Sequence, residues 1–123
     1  MDKSGVLIIE DDLALAEIFS TILQYSGFDT EVISDGQVAM DRLENTSPDL
    51  VILDLHLPNV TGPLILEYIR GNEYLDQTKV IIATADLVLV QDVQSQADAL
   101  LTKPISPSSL ISTVKQLHPI SLS

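Results

Sequence analysis

The sequence predicts an α/β fold in which helices cover both faces of a parallel five-stranded sheet. Short apolar runs rich in β-branched residues alternate with stretches long enough for crossover helices. Continuous apolar runs are typical of strands buried on both faces, and parallel neighbours require such crossovers. The 123 residues, 46% of them hydrophobic, are sufficient for one core, so a single domain over residues 1–123 is expected.

Five segments are predicted as strands. Four of them are apolar runs, and the fifth, residues 30–33, is shorter and more polar, which indicates an edge strand. The apolar runs are residues 6–9, 50–53, 80–83 and 99–102, the last being the weakest.

The first and last helices carry the clearest signals. Residues 13–26 place apolar side chains at i, i+3, i+4 and i+7, with Asp12 as the expected N-cap and Gly27 as the stop. Ser106 and Pro107 form an N-cap and a first-turn proline for the last helix, whose apolar residues again share one face.

The helices between them are shorter. Residues 36–44 and 63–70 predict two helices. Residues 85–98 begin with the strand-like apolar run 87–90 and continue as a polar helix, so a short fourth helix is expected. Its apolar first turn is expected in the core, and the alternative is an exposed patch that binds a partner.

The charge and composition limit the partners. Eighteen acidic residues against six basic ones give a net charge of -12, so direct binding to nucleic acid is not expected. The absence of cysteine is compatible with a reducing compartment, and the cytoplasm is the expected location. The first apolar run is too short for a signal sequence or a membrane span, so no membrane attachment is expected.

Polar residues follow four of the predicted strands, at the edge where open α/β sheets bind ligands. Glu10 and Asp11 follow the first strand, Asp54 the third, Thr84 the fourth and Lys103 the fifth. Two carboxylates about 4 Å apart repel by about 4 kcal/mol at an effective dielectric of about 20, so the cluster would hold protons or recruit a cation. Oxygen ligands without His or Cys favour Mg²⁺, with Mn²⁺ as the alternative.

The same residues could support phosphoryl transfer. Three carboxylates would be neutralised by one dication and the ammonium of Lys103, which leaves the pocket able to tolerate an anionic adduct. Asp54 stands alone at its strand end and is the natural carboxylate nucleophile. Each residue taken singly has an ordinary structural explanation, such as a turn or a solvated surface charge, but their occurrence together at four strand ends favours a site.

Four motifs in order along the chain resemble the receiver domain of two-component response regulators. They are residues 6–12 (VLIIEDD), 49–58 (DLVILDLHLP), 82–85 (IATA) and 101–104 (LTKP), and they extend over nearly the whole chain. The resemblance implies a flavodoxin-like (βα)5 fold with strand order 2-1-3-4-5. It also implies that Asp11 and Asp54 bind Mg²⁺ directly, that Glu10 acts largely through water, and that the backbone carbonyl of His56 is a further ligand.

The resemblance further implies that Asp54 accepts a phosphoryl group from a sensor histidine kinase or a histidine phosphotransfer domain. Lys103 would pair with Asp54, Thr84 would hydrogen-bond a phosphoryl oxygen, and the peptide between Lys103 and Pro104 would be cis. The phosphoryl group would be lost by hydrolysis, so the chain would be a self-phosphorylating and autodephosphorylating receiver rather than a turnover enzyme.

The sequence departs from the family pattern at several positions. Leu100 stands where an aromatic switch residue is usual, and the fourth helix segment is about one turn shorter than in relatives. Thr61 replaces the more frequent aspartate before Gly62. His56 and Asp86, two places after Asp54 and Thr84, occupy positions that tune water access in relatives.

Two alternatives remain at this point: a pseudo-receiver that binds proteins without phosphorylation, and a small hydrolase of the aspartyl-phosphate type. The chain could be a stand-alone receiver or part of a larger regulator. It is expected to be a monomer or a weak homodimer with an output partner that the sequence does not identify.

Overall fold

The computed structural model describes residues 5–118, in which five strands alternate with five α-helices. The strands are β1 (Gly5–Ile9), β2 (Asp29–Ile33), β3 (Leu50–Leu53), β4 (Lys79–Thr84) and β5 (Ala99–Thr102). The helices are α1 (Leu13–Tyr25), α2 (Gly36–Leu43), α3 (Gly62–Arg70), α4 (Leu87–Val93) and α5 (Pro107–Leu117). Two single turns of 3-10 helix, Glu73–Leu75 and Gln94–Gln96, were not predicted.

The strands form one parallel sheet in the order β2-β1-β3-β4-β5, which confirms the predicted flavodoxin-like fold. The chain leaves β1 toward one edge to form β2 and returns to the other side for β3. Ile9 lies opposite Leu53, and Leu53 lies opposite Ile82, so the carboxyl ends of the three central strands are level. The crevice at this edge is where such sheets bind ligands.

The core lies on both faces of the sheet. Side chains alternate along each strand, so Val6 and Ile8 of β1 pack toward α1 and α5, whereas Leu7 and Ile9 pack toward α2, α3 and α4. The central strands are therefore buried on both sides, which explains their continuous apolar sequences. Strand β2 pairs only with β1 and is partly exposed, as predicted for an edge strand.

The predicted helix signals at α1 and α5 are confirmed. Asp12 is the N-cap of α1, and its Oδ1 accepts a hydrogen bond from the Leu15 amide at 3.2 Å. Gly27 adopts a φ of 98° just after α1, a left-handed conformation that favours glycine. Ser106 caps α5 by accepting a hydrogen bond from the Ser109 amide at 3.1 Å.

Helix α4 is short, as expected, but the expectation that its apolar first turn lies in the core is wrong for two residues. Leu87 and Val88 are 58% and 76% exposed, whereas Val90 and Val93 are buried. A helix of seven residues presents only one narrow face to the sheet, and positions i and i+3 occupy it. The exposed side chains of Leu87 and Val88 result from that geometry.

The connection from α4 to β5 is held by Arg70 at the end of α3. Its guanidinium donates to the Gln96 carbonyl oxygen at 2.7 Å, to the Thr78 carbonyl oxygen at 3.1 Å and to Asp98 Oδ2 at 2.7 Å. Asp98 Oδ2 also accepts from the Val80 amide at 2.8 Å. One side chain thus ties α3, β4 and the segment before β5 together. No helix in residues 5–118 has the length and apolar character needed to cross a membrane.

Candidate functional site

The backbone of the parallel sheet fixes the two buried acids of the site. The Asp54 amide donates to the Ile9 carbonyl oxygen at 3.0 Å, and the Glu10 amide donates to the Ile33 carbonyl oxygen at 3.0 Å. The hydrogen bonds between neighbouring strands therefore continue one residue beyond the strand ends. As a result, Glu10 and Asp54 lie side by side at the carboxyl edge of β1 and β3, and both are buried.

Three carboxylates converge at this edge. Glu10, Asp11 and Asp54 each offer an oxygen, and these oxygens all lie within 4.8 Å of one another. Unit charges at that distance repel by about 3.5 kcal/mol at an effective dielectric of about 20. Glu10 and Asp54 are buried and Asp11 is exposed, so the cluster opens to solvent on the Asp11 side.

Lys103 partly compensates these charges. Its Nζ lies 2.5 Å from Glu10 Oε1 and 3.2 Å from Asp54 Oδ2. Burial acts against the charged form of Lys103, but the Glu10 and Asp54 carboxylates outweigh it and raise its pKa. The side chain reaches the site from the end of β5, where the peptide between Lys103 and Pro104 is cis, as the family resemblance implied.

The ammonium of Lys103 does not fully offset the cost of burying the Glu10 carboxylate. Burial raises the pKa of Glu10 to about 7, although Lys103 and the Asp12 amide act in the opposite direction. The Oε1 atom of Glu10 is buried and makes no aligned hydrogen bond, so its contact with Lys103 is an ion pair only. A buried oxygen of this kind beside two further carboxylates is a donor set that suits a hard dication such as Mg²⁺.

Thr84 ends β4 and is fully buried. Its Oγ1 accepts a hydrogen bond from the Asp86 amide at 3.2 Å, and its carbonyl oxygen accepts from the Lys103 amide at 2.9 Å. A threonine hydroxyl that accepts one hydrogen bond can still donate its own hydrogen. The side chain is therefore at the carboxyl edge with a donor available for an oxygen of a bound group.

His56 contributes to the site through its backbone. The His56 amide donates to Asp54 Oδ1 at 3.2 Å, while the imidazole is mostly exposed. Its Nε2 lies 2.6 Å from Asp86 Oδ2, a contact that the sequence analysis missed. His56 stands two places after Asp54, and Asp86 stands two places after Thr84; this common spacing was the available signal. The pKa of Asp86 is lowered by the hydrogen bond from the Leu89 amide and by the His56 side chain.

Two glycines allow helices to start close to the loop that follows Asp54. A Cβ atom on Gly62 would lie 2.4 Å from the Asp54 carbonyl oxygen and 2.5 Å from the Leu55 Cα. A Cβ atom on Gly36 would lie 1.7 Å from the Val60 carbonyl oxygen. These contacts leave no room for a side chain, so α2 and α3 begin directly against the loop after Asp54. Neither close approach was predicted from the sequence.

Comparison with known proteins identifies the family. A family model described as the response regulator receiver domain matches residues 6–115. The chain belongs to this family. The DNA-binding response regulator MtrA of Mycolicibacterium paratuberculosis is 34% identical over 113 residues, which cover 92% of this chain and 50% of MtrA. The transcriptional regulatory protein TrcR of Mycobacterium tuberculosis is 34% identical over 114 residues, 91% of this chain and 44% of TrcR.

Solved structures of receiver domains have the same fold. The receiver domain of a signal transduction histidine kinase from Syntrophus aciditrophicus is 32% identical, with a TM-score of 0.84 over 98% of each chain. The response regulator TrrA from Thermotoga maritima, in complex with Mg²⁺ and BeF, is 27% identical, with a TM-score of 0.83 over 93% of this chain and 98% of TrrA. The receiver chain described here spans about half the length of the curated relatives it matches.

The site therefore brings together the residues that the sequence analysis selected. Glu10, Asp11, Asp54 and Lys103 form one cluster, and Thr84 is at the same edge of the sheet. The pseudo-receiver alternative is not supported, because the acidic cluster and the lysine are all present in a receiver fold.

Proposed function

We propose that this receiver domain accepts a phosphoryl group from a phosphohistidine onto Asp54 in a Mg²⁺-dependent reaction. The observation that carries the proposal is that charged side-chain groups converge on Asp54. This buried carboxylate has Lys103 Nζ at 3.2 Å from Oδ2 and oxygens of Glu10 and Asp11 within 4.8 Å. A carboxylate beside a cation and a dication site is equipped to act as a nucleophile toward phosphorus.

Four residues of the carboxyl edge would hold the metal. Asp11 and Asp54 would bind Mg²⁺ directly, the backbone carbonyl of His56 would be a third ligand, and Glu10 would act largely through water. When bound, the ion supplies positive charge that offsets the carboxylates and the phosphoryl oxygens. Mn²⁺ suits the same oxygen donors and is the alternative ion.

Transfer requires one bond to form and one to break. An oxygen of Asp54 bonds to phosphorus while the bond between phosphorus and the donor imidazole nitrogen breaks, and the imidazole keeps the electron pair and a proton. Lys103 would hold the phosphoryl oxygens from one side, and the Thr84 hydroxyl would donate to one of them. Hydrolysis then returns Asp54 and releases inorganic phosphate.

Membership of the receiver family supports the proposed partners. A sensor histidine kinase or a histidine phosphotransfer domain would supply the phosphoryl group, and an output partner would respond to the phosphorylated state. Any contact with DNA would belong to a part of the protein outside this acidic chain. We further propose that residues 1–123 form a single receiver domain, a monomer or a weak homodimer, in the cytoplasm, where a protein without cysteine meets no restriction from the reducing conditions.

Intact-mass measurement after incubation with acetyl phosphate and Mg²⁺ tests the proposal. The wild-type chain should gain the mass of one phosphoryl group, and Asp54→Asn or removal of the metal with EDTA should abolish the gain. Asp49→Asn is the matched control, because Asp49 lies at the opposite end of β3 and accepts a hydrogen bond from the Gly5 amide. A gain that persists in Asp54→Asn, or a wild-type chain that stays unmodified across pH and time, contradicts the proposal.

A further inference from the structure

A side-chain contact joins the loop after Asp54 to the start of α4. His56 Nε2 lies 2.6 Å from Asp86 Oδ2, although the two residues are 30 positions apart in the sequence. One comes after β3 and the other after β4, which are neighbours in the sheet. The contact therefore bridges two loops at the edge that carries the acidic cluster. We call it the His56–Asp86 bridge.

Each end of the bridge is also bonded to a residue of the site. The His56 amide donates to Asp54 Oδ1 at 3.2 Å, and the Asp86 amide donates to Thr84 Oγ1 at 3.2 Å. The bridge thus connects the proposed phosphoryl acceptor to the threonine at the neighbouring strand end through two loop residues. A displacement of the His56 backbone at Asp54 acts directly on the side chain that holds Asp86.

Asp86 has a second role, because it is the N-cap of α4. Its Oδ1 accepts hydrogen bonds from the Val88 amide at 3.0 Å and from the Leu89 amide at 2.9 Å. One carboxylate therefore holds His56 with one oxygen and the first turn of α4 with the other. That turn presents the exposed side chains of Leu87 and Val88 to solvent.

We propose that the His56–Asp86 bridge couples occupancy of Asp54 to the position of the first turn of α4. The proposal rests on the proposed function, since it concerns the effect of a phosphoryl group bound at Asp54. A group on Asp54 changes the acceptor of the His56 amide, and the His56 side chain transmits the resulting shift to the Asp86 carboxylate. The exposed apolar turn of α4 then differs in position between the two states.

Three substitutions isolate the bridge. His56→Ala removes the imidazole and leaves the backbone amide and carbonyl of residue 56 in place. His56→Gln restores a side-chain donor and should rescue the coupling. Asp86→Ser keeps a good N-cap residue for α4 but is too short to reach His56. Because the imidazole is mostly exposed, the two changes at His56 do not open the core.

The first measurement is hydrogen exchange at the Val88 and Leu89 amides in the resting protein at fixed pH. We expect His56→Ala to speed exchange about two- to fivefold, the range for loss of an exposed ion pair, and His56→Gln to remain near the wild-type rate. The amides of Gln37 and Val38 are the internal control, because both donate to the N-cap Asp35 of α2 and do not contact the bridge. Unchanged exchange at Val88 and Leu89 in His56→Ala overturns the proposal.

The second measurement is the change in amide NMR shifts on adding Mg²⁺ and beryllofluoride, a mimic of the phosphoryl group. Val88 and Leu89 should shift in the wild type, and His56→Ala should lose more than half of that change while His56→Gln keeps more than half. The double variant His56→Ala with Asp86→Ser should lose no more of the shift change than His56→Ala alone, because each substitution removes the same contact, the His56–Asp86 bridge. A double variant that loses clearly more than His56→Ala overturns the proposal.

The outcomes separate the two proposals. If beryllofluoride leaves the wild-type amides around Asp54 unchanged, the proposed function fails and the coupling fails with it. If those amides shift and His56→Ala keeps more than half of the change at α4, the coupling alone is overturned. If His56→Ala no longer binds beryllofluoride, the exchange rates of Val88 and Leu89 in the resting protein test the coupling. Unchanged rates there overturn it.

Discussion

Replacing Arg70 by methionine is expected to lower the free energy of unfolding by about 2 kcal/mol. Arg70 makes three hydrogen bonds that join α3 to the segments flanking β4 and β5, with donor–acceptor distances of 2.7, 3.1 and 2.7 Å. At about 1 kcal/mol net for each bond the loss would be about 3 kcal/mol. The side chain is 27% exposed, so water can replace part of the lost hydrogen bonding in the variant, and the expected loss falls to about 2 kcal/mol. Methionine keeps the apolar stem, which confines the change to the polar contacts.

Arg42→Met is the matched control for this prediction. Arg42 also binds a carboxylate, with Nε at 2.9 and 3.0 Å from the two oxygens of Glu31, but its side chain is 45% exposed and holds no buried backbone group. The expected cost is about 0–1 kcal/mol. Urea unfolding followed by circular dichroism in EDTA gives both values by linear extrapolation. Equal losses in the two variants would refute the reasoning that the contacts of Arg70 to backbone carbonyls matter more than its charge.

Three further outcomes are expected. Gly62→Ala should cost about 1–3 kcal/mol in urea unfolding, because the added methyl group would lie 2.4 Å from the Asp54 carbonyl oxygen. In EDTA, the stabilisation from protonated Glu10 should be present below pH 4.5 and lost as the pH rises through about 7, so the wild type should become progressively less stable than Glu10→Gln, which does not titrate, over that range. Ultraviolet absorbance should show a tyrosine ionising near pH 12 that Tyr74→Phe removes, because the hydrogen bond with Tyr68 and burial raise the pKa of Tyr74.

Each of these has a control and a contradicting result. Gly5→Ala should change stability little, because no atom lies within 4 Å of the added Cβ, and a similar loss at both glycines would contradict the steric argument. A wild type that keeps or gains stability relative to Glu10→Gln as the pH rises from 4.5 to 7 would show that burial does not raise the pKa of Glu10. An unchanged alkaline titration in Tyr74→Phe would assign that step to another residue.

The sequence alone predicted the sheet, most helix boundaries and the residues that meet at its carboxyl edge. Continuous apolar runs can be buried only when both faces of a strand are covered, so β1, β3 and β4 were predicted as central parallel strands. Helix α1 begins after Asp12 and α5 begins after Ser106 because their caps are local interactions within three residues. Polar residues at strand ends then predicted where the acidic cluster lies; the roles assigned to its members remain predictions.

Only the tertiary structure decided how the loops and helices contact one another. The exposure of Leu87 and Val88, the His56–Asp86 bridge and the three hydrogen bonds of Arg70 each depend on how separate segments are placed in space. Local propensity does not contain that placement, because it is set by strand register and by the packing of helices on the sheet. A cap or an apolar run is determined by residues a few positions apart, whereas a contact across 30 positions is determined by the whole fold.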